Sequence, residues 1–154
     1  MGLLLGVVIG GGILAAYFLF GKATIDPEPV RELAAKNRLS ERSVYLLFVS
    51  YTILVNALLE EYVWRWFVFS KCEIIVSSAA AVVLSAAFFT LHHVIALAAY
   101  FGIAVTVAGS VGVFAGGVIW SWCYQRYRSI WPGYLSHAIV DAAIFLIGAW
   151  LILD

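Results

Sequence analysis

Three short stretches of this chain carry side chains that could do chemistry. Glu60, Glu61 and Arg65 stand within one, the adjacent pair His92 and His93 forms the second, and His137 and Asp141 form the third. Carboxylates and imidazoles take and give protons near neutral pH, and they also bind divalent metals. On a helix, residues four apart share a face, so Glu61 and Arg65 can neutralise each other. Glu60 is rotated by about 100° from Glu61 and points out of that pair. A carboxylate taken out of water and away from an opposite charge becomes a better proton acceptor near neutral pH. His137 and Asp141 are again four apart, so the carboxylate can fix the imidazole in one tautomer. Each cluster also has a plain structural reading. The first two could sit at wet helix ends, and the third could be a self-satisfied pair that glues helices together.

The elements that carry these residues are strongly apolar. Of 154 residues, 64% are hydrophobic and only 12% charged. A soluble domain is nearer about 45–50% apolar and about 25% charged, and so small a globule could not hide the excess from water. Lipid is the natural solvent. Apolar runs long enough to span a bilayer are Met1–Phe20, Val44–Ser70, Ile74 to about Tyr100, about Ile103–Tyr124, and Ile130–Leu153. The reading is therefore an all-α, polytopic membrane helix bundle of about five transmembrane helices in one membrane domain, residues 1–154. Residues 1–43 form an N-terminal helix and polar loop, and residues 44–154 the core. Met1–Phe20 lacks the basic start and small-residue cleavage site of a signal peptide and reads as a first span. In the polar stretch 21–43, Val30–Arg38 can form a short surface helix, and residues 94–110 can be a helix end, a re-entrant piece or a short extra helix. Gly6–Gly10 and Gly112–Gly116 have the spacing of close helix packing. The formal net charge is zero, which gives no electrostatic footprint for nucleic acid. Cys72 and Cys123 lack metal-ligand spacing.

A charged side chain at mid-bilayer costs roughly 2.5–3.5 kcal/mol even on a lenient scale. Three apolar runs each carrying such a cluster therefore weaken the structural reading, because polar groups in lipid seek one another. Glu and His together in a bundle can activate water or hold a metal such as zinc.

At these residues the chain resembles the CAAX prenyl endopeptidase family, which also includes bacteriocin-processing and self-immunity proteins. Glu60, Glu61 and Arg65 match its E-E-x-x-x-R motif. His137 and Asp141 match H-x-x-x-N/D. The intervening F-x-x-x-H motif fits Phe89 and His93 best, with Thr90 and Val94 in the expected places; Phe88 and His92 give the alternative register. The resemblance covers about Leu58 to Ile144. It implies an intramembrane endopeptidase in which Glu60 and His93 activate the water that attacks a peptide carbonyl. His137 and Asp141 would stabilise the oxyanion or orient the carbonyl, and Glu61 and Arg65 would hold the helix end in shape. Many members carry Asn at the last position. An Asp there must be protonated to donate, or act only by orienting His137.

The implied partners are the lipid bilayer and a peptide or protein substrate in or at the membrane of a prokaryotic cell. Two cofactor states follow from the same residues. Either there is none, with glutamate as the base, or a divalent metal such as zinc is held by Glu60, His93 and His137 with Asp141 behind them. Other functions stay open: a non-catalytic immunity or peptide-binding protein of the same fold, a proton-coupled transporter relaying protons through Glu and His, and a haem-binding bundle using His93 and His137.

Overall fold

The computed structural model describes residues 1–153, Tyr100 by its backbone alone. Six helices of nine residues or more follow one another among them. Helix α1 is Gly2–Thr24, α2 is Glu28–Lys36, α3 is Arg42–Ile75, α4 is Ser78–Tyr100, α5 is Ile103–Tyr127 and α6 is Trp131–Leu153. All but α2 are long and apolar enough to cross a membrane. The protein is thus all-α and polytopic, as its apolar runs imply.

The boundaries shift for local reasons. The polar triplet Lys71–Cys72–Glu73 does not break α3, which runs on to Ile75. Its two charged side chains sit at a helix end, where they reach water or a partner. Helix α4 begins instead behind Ser77, whose Oγ accepts from the Ala80 N–H at 3.4 Å, a common N-cap arrangement. Helix α5 ends at Arg128, whose backbone is left-handed at φ 48, and Pro132 sits in the first turn of α6, where its missing N–H is harmless. Residues 94–110 are the end of α4, a two-residue break at Phe101 and Gly102, and the start of α5. The short surface helix covers Glu28–Lys36, two residues before the stretch read from sequence.

The surface is inside-out relative to a soluble protein. Leu19, Leu47, Ile74, Ile75 and Ile103 are among the most exposed residues. The buried set is rich in small or hydroxyl residues: Ala57, Ala81, Ala86, Ser85, Ser121 and Ser136. In lipid no apolar drive separates the two classes, so close backbone approach decides what lies inside. Hydroxyls along the spans bond back to their own helix. Thr52 donates to Phe48, Thr90 to Ala86 and Ser110 to Thr106, each to the carbonyl four residues earlier. These three hydroxyl protons are thereby kept from hydrocarbon.

The chain divides into two compact units, Met1–Leu58 with the last helix from Leu135 on, and Leu59–Tyr134. The division falls inside α3 and α6.

In the first unit, Gly6 and Gly10 of α1 face α6. A Cβ at Gly6 would lie 2.9 Å from Ile139 Cβ and 3.0 Å from Ser136 Cα, and one at Gly10 3.3 Å from Ala143 Cβ. Tyr17 stacks on Trp150 at 6.0 Å between centroids. Arg31 of α2 donates through Nε to the Leu151 carbonyl at 2.9 Å, which satisfies one of the spare carbonyls at the end of α6. Tyr45 donates its hydroxyl to the Phe145 carbonyl.

In the second unit, α4 and α5 pack along their length. Gly117 lies against Ala86 and Phe89, whereas Gly112 meets nothing within 4 Å. The G-x-x-x-G at Gly112–Gly116 is therefore not the contact face; Gly117 is. At one end, Arg128 donates to both oxygens of Glu73, to Oε1 at 3.0 Å. Ser78 also donates to Glu73, and Gln125 donates to Ser78 at 2.6 Å. These bonds tie the end of α3 to the start of α4 and the end of α5. The hydrogen-bonded Glu73 carboxylate holds the Arg128 guanidinium above its ordinary range, with burial acting against it.

Gly6→Leu is expected to cost about 1–3 kcal/mol through overpacking against α6. Gly11→Leu, where a Cβ would meet nothing within 4 Å, should leave stability near wild type. Denaturant unfolding in detergent, followed by helical circular dichroism, checks both.

Candidate active site

Helix α3 changes pitch at the first cluster. Ala57–Glu61 is regular α-helix, and Tyr62–Phe69 winds wider, with hydrogen bonds reaching one residue further back. Such wide turns are uncommon and often mark functional positions. Glu61 closes the regular part, and Arg65 lies in the wide one.

Glu61 and Arg65 are both fully buried, at 0% exposure. The Arg65 Nε and the Glu61 Oε2 are 3.6 Å apart, so the i, i+4 pair expected from sequence forms. The rest of the guanidinium is held by ring faces. Its central carbon lies 4.4 Å from the centroid of Phe89 and 5.4 Å from that of Trp120. These two rings meet edge-on at 6.1 Å. On the carboxylate side, the Glu61 carboxyl abuts Gly133 in the first turn of α6. The N–H groups of a helix's first turn have no carbonyl within the helix, and the positive end of the helix dipole favours an anion there. The cation thus meets ring faces while its three nitrogens make no hydrogen bond among the described residues, and the anion adjoins a helix start.

Glu60 is half-buried beside this pair. His93 is half-buried and His92 exposed. The His93 Nδ1 is 3.0 Å from the Phe89 carbonyl oxygen. A carbonyl oxygen only accepts, so Nδ1 carries the proton, and in the neutral ring Nε2 is left as the acceptor. A neutral imidazole can act as a general base through its acceptor nitrogen. His92 meets Trp64 and His93 through its ring, at 5.9 Å and 5.1 Å between centroids. Within this unit α3 and α4 are joined by Ser85, which donates to the Trp64 carbonyl at 2.9 Å, and by the edge-on contact of Trp64 with Phe89. The first two clusters therefore share one packed face.

The third cluster belongs to the other unit. The His137 Nε2 and the Asp141 Oδ1 are 3.6 Å apart, with the two side chains 6% and 15% exposed. The pair expected from the spacing is present on α6. Among the described residues no group of three or more His, Cys, Asp or Glu is placed to hold a metal ion.

Sequence reasoning missed Trp120 and Gly133. Trp120 is one of six tryptophans in the chain, with nothing nearby to single it out. Gly133 follows Pro132 at a helix start, which accounts for a turn but not for a buried carboxylate. Phe89 was visible only as the first residue of a motif.

An all-α membrane protein with carboxylate, guanidinium and imidazole groups buried in its spans belongs to the class of intramembrane enzymes and transporters. The family model described as Type II CAAX prenyl endopeptidase Rce1-like matches residues 42–143, well over half of the chain, and the chain belongs to that family of membrane proteases. Neither the comparison with curated proteins nor that with solved structures gives a match.

Removing one partner of the buried pair should be costly, because it strands the other charge. Arg65→Leu is expected to lose about 3–5 kcal/mol of stability. The double variant Glu61→Gln/Arg65→Leu should lose less than Arg65→Leu alone. Unfolding free energies of the two variants, measured side by side in detergent, decide it.

Proposed function

We propose that this protein is an endopeptidase that hydrolyses a peptide bond in a membrane-associated peptide or protein, with Glu60 and His93 activating the water. The setting we propose is a prokaryotic cell membrane. The observation that carries the reading is the tautomer of His93. Its Nδ1–H donates to the Phe89 carbonyl, which makes Nε2 the basic nitrogen of the neutral ring, in the same unit as Glu60. Family membership supplies the reaction class.

In this scheme Glu60 and His93 remove a proton from water, and the hydroxide attacks the carbonyl carbon. The tetrahedral intermediate carries its negative charge on oxygen. His137 donates to that oxygen, the kind of electrostatic contribution that usually dominates acyl transfer. Its Nε2 faces Asp141, so only the doubly protonated ring presents an Nδ1–H donor as well. The Asp141 carboxylate is the counter-charge for that form. An Asp at this position then works without itself donating, which removes the difficulty of an Asp where many relatives carry Asn. Collapse of the intermediate breaks the C–N bond, and the leaving amine takes its proton from Glu60 or His93. Glu61 and Arg65 touch no reacting atom in this scheme; they hold the turn on which Glu60 sits.

Purified protein in detergent, offered a panel of membrane peptides, tests this. Glu60→Ala and His93→Ala should lose about 10²–10⁴-fold in kcat, the usual contribution of a general base. His137→Ala should lose about 10²–10³-fold, as for an oxyanion donor. His92→Ala should change kcat by less than about threefold, well short of a general base's contribution. Activity that survives chelator supports glutamate as the base, and activity lost to chelator and restored by zinc would replace it with a metal. Folded wild type that cleaves nothing in the panel would favour a non-catalytic peptide-binding or immunity role.

A further inference from the structure

The Glu61–Arg65 pair is a buried anion and cation in a span, and the groups that enclose it come from three other helices. Trp120 of α5 is 4% exposed and gives Arg65 one of its two ring faces. Gly133 of α6 meets the Glu61 carboxylate through its Cα. A Cβ there would lie 3.2 Å from Glu61 Cδ, would run into Oε2, and would sit 3.8 Å from Trp120 Cβ. Trp120 and Gly133 are thus neighbours that close the box from the side opposite α3.

This placement has a consequence for Glu60. Adjacent helical residues are fixed at about 100° to each other, so the azimuth of Glu60 follows that of Glu61. The pitch change at Glu61 to Tyr62 makes that azimuth depend on how the wide segment is wound. Arg65 is clamped between two rings inside the wide segment, and the Glu61 carboxyl is stopped by a backbone with no side chain. Together they fix both sides of the pitch change.

We propose that Trp120 and Gly133 are positioning residues for the reaction: the ring holds Arg65, the bare Cα admits the Glu61 carboxylate, and the two set the direction in which Glu60 points. The role assigned to Glu60 rests on the function proposed above. The geometric part does not.

The test uses full-length protein in detergent with three variants. Trp120→Leu keeps apolar bulk and removes the ring face. Trp120→Phe keeps a ring face. Gly133→Ala adds only the Cβ that meets Glu61. Two readouts are taken. One is kcat and KM for a cleaved peptide. The other is the pH titration of the Glu60 carboxyl, read as the infrared carboxyl band that disappears in Glu60→Gln. Trp120→Leu and Gly133→Ala are expected to lose about 10–100-fold in kcat, the size of effect that a misplacement near 1 Å produces. KM should stay within about twofold, as expected when an interaction made only in the transition state is lost. The carboxyl titration midpoint should move in both variants, and Trp120→Phe should restore both readouts most of the way to wild type.

The proposal fails if Gly133→Ala leaves the rate and the carboxyl midpoint unchanged. It fails equally if Trp120→Phe is as defective as Trp120→Leu, because the residue would then serve packing alone. If Trp120→Leu does not fold, Gly133→Ala and Trp120→Phe decide by the same criteria. If wild type cleaves nothing, the peptidase reading falls, and the carboxyl titration by itself decides whether Trp120 and Gly133 set Glu60.

Discussion

The second unit is organised around one expensive object, a guanidinium and a carboxylate at 0% exposure inside helices that face hydrocarbon. Taking two such charges out of water costs several kcal/mol for each ion, and their mutual attraction offsets that only with good geometry and further partners. At 3.6 Å between Nε and Oε2 the pair is in ion-pair contact without a short hydrogen bond. The rest of the compensation comes from elsewhere: ring faces for the cation and the dipole end of α6 for the anion. Each of these comes from a different helix. The pair therefore acts as a convergence point for α3, α4, α5 and the start of α6, and removing any one wall exposes the cost.

That constraint explains the local chemistry around it. A glycine is required at 133 because the carboxylate occupies the volume of a side chain. An aromatic residue is required at 89 and 120 because only a π face meets a cation without a hydrogen-bond acceptor. The hydroxyl at 85 donates to the Trp64 carbonyl, inside the wide segment of α3. The wide turn Tyr62–Phe69 and the tight packing of Ser85 against it are two sides of one local solution.

The first unit uses a different principle. Among the described residues its contacts include close backbone approach at Gly6 and Gly10, aromatic stacking at Tyr17, and hydrogen bonds from Tyr45 and Arg31 to α6 carbonyls. The residues that α1 touches, Ser136, Ile139 and Ala143, alternate with His137 and Asp141 along the same turns of α6. An element outside the family match at residues 42–143 thus supports the turns that carry one of the family motifs.

The sequence by itself determined the solvent, the spans and the identity of the ionisable residues within them. Hydropathy over twenty residues is a local property, and no soluble fold could hide so much apolar surface. It also determined the two i, i+4 pairs, because a helix fixes which residues share a face. Tertiary structure decided what a period cannot encode. The motif register favours His93 over His92, and tertiary packing leaves His93 half-buried and His92 exposed. Nothing marks Trp120 or Gly133, more than fifty residues from Glu61, as the walls of its pocket. Gly112–Gly116 looked like the packing face of α5, and Gly117 took that place, because the face a helix presents depends on its neighbour's rotation as much as on its own residues.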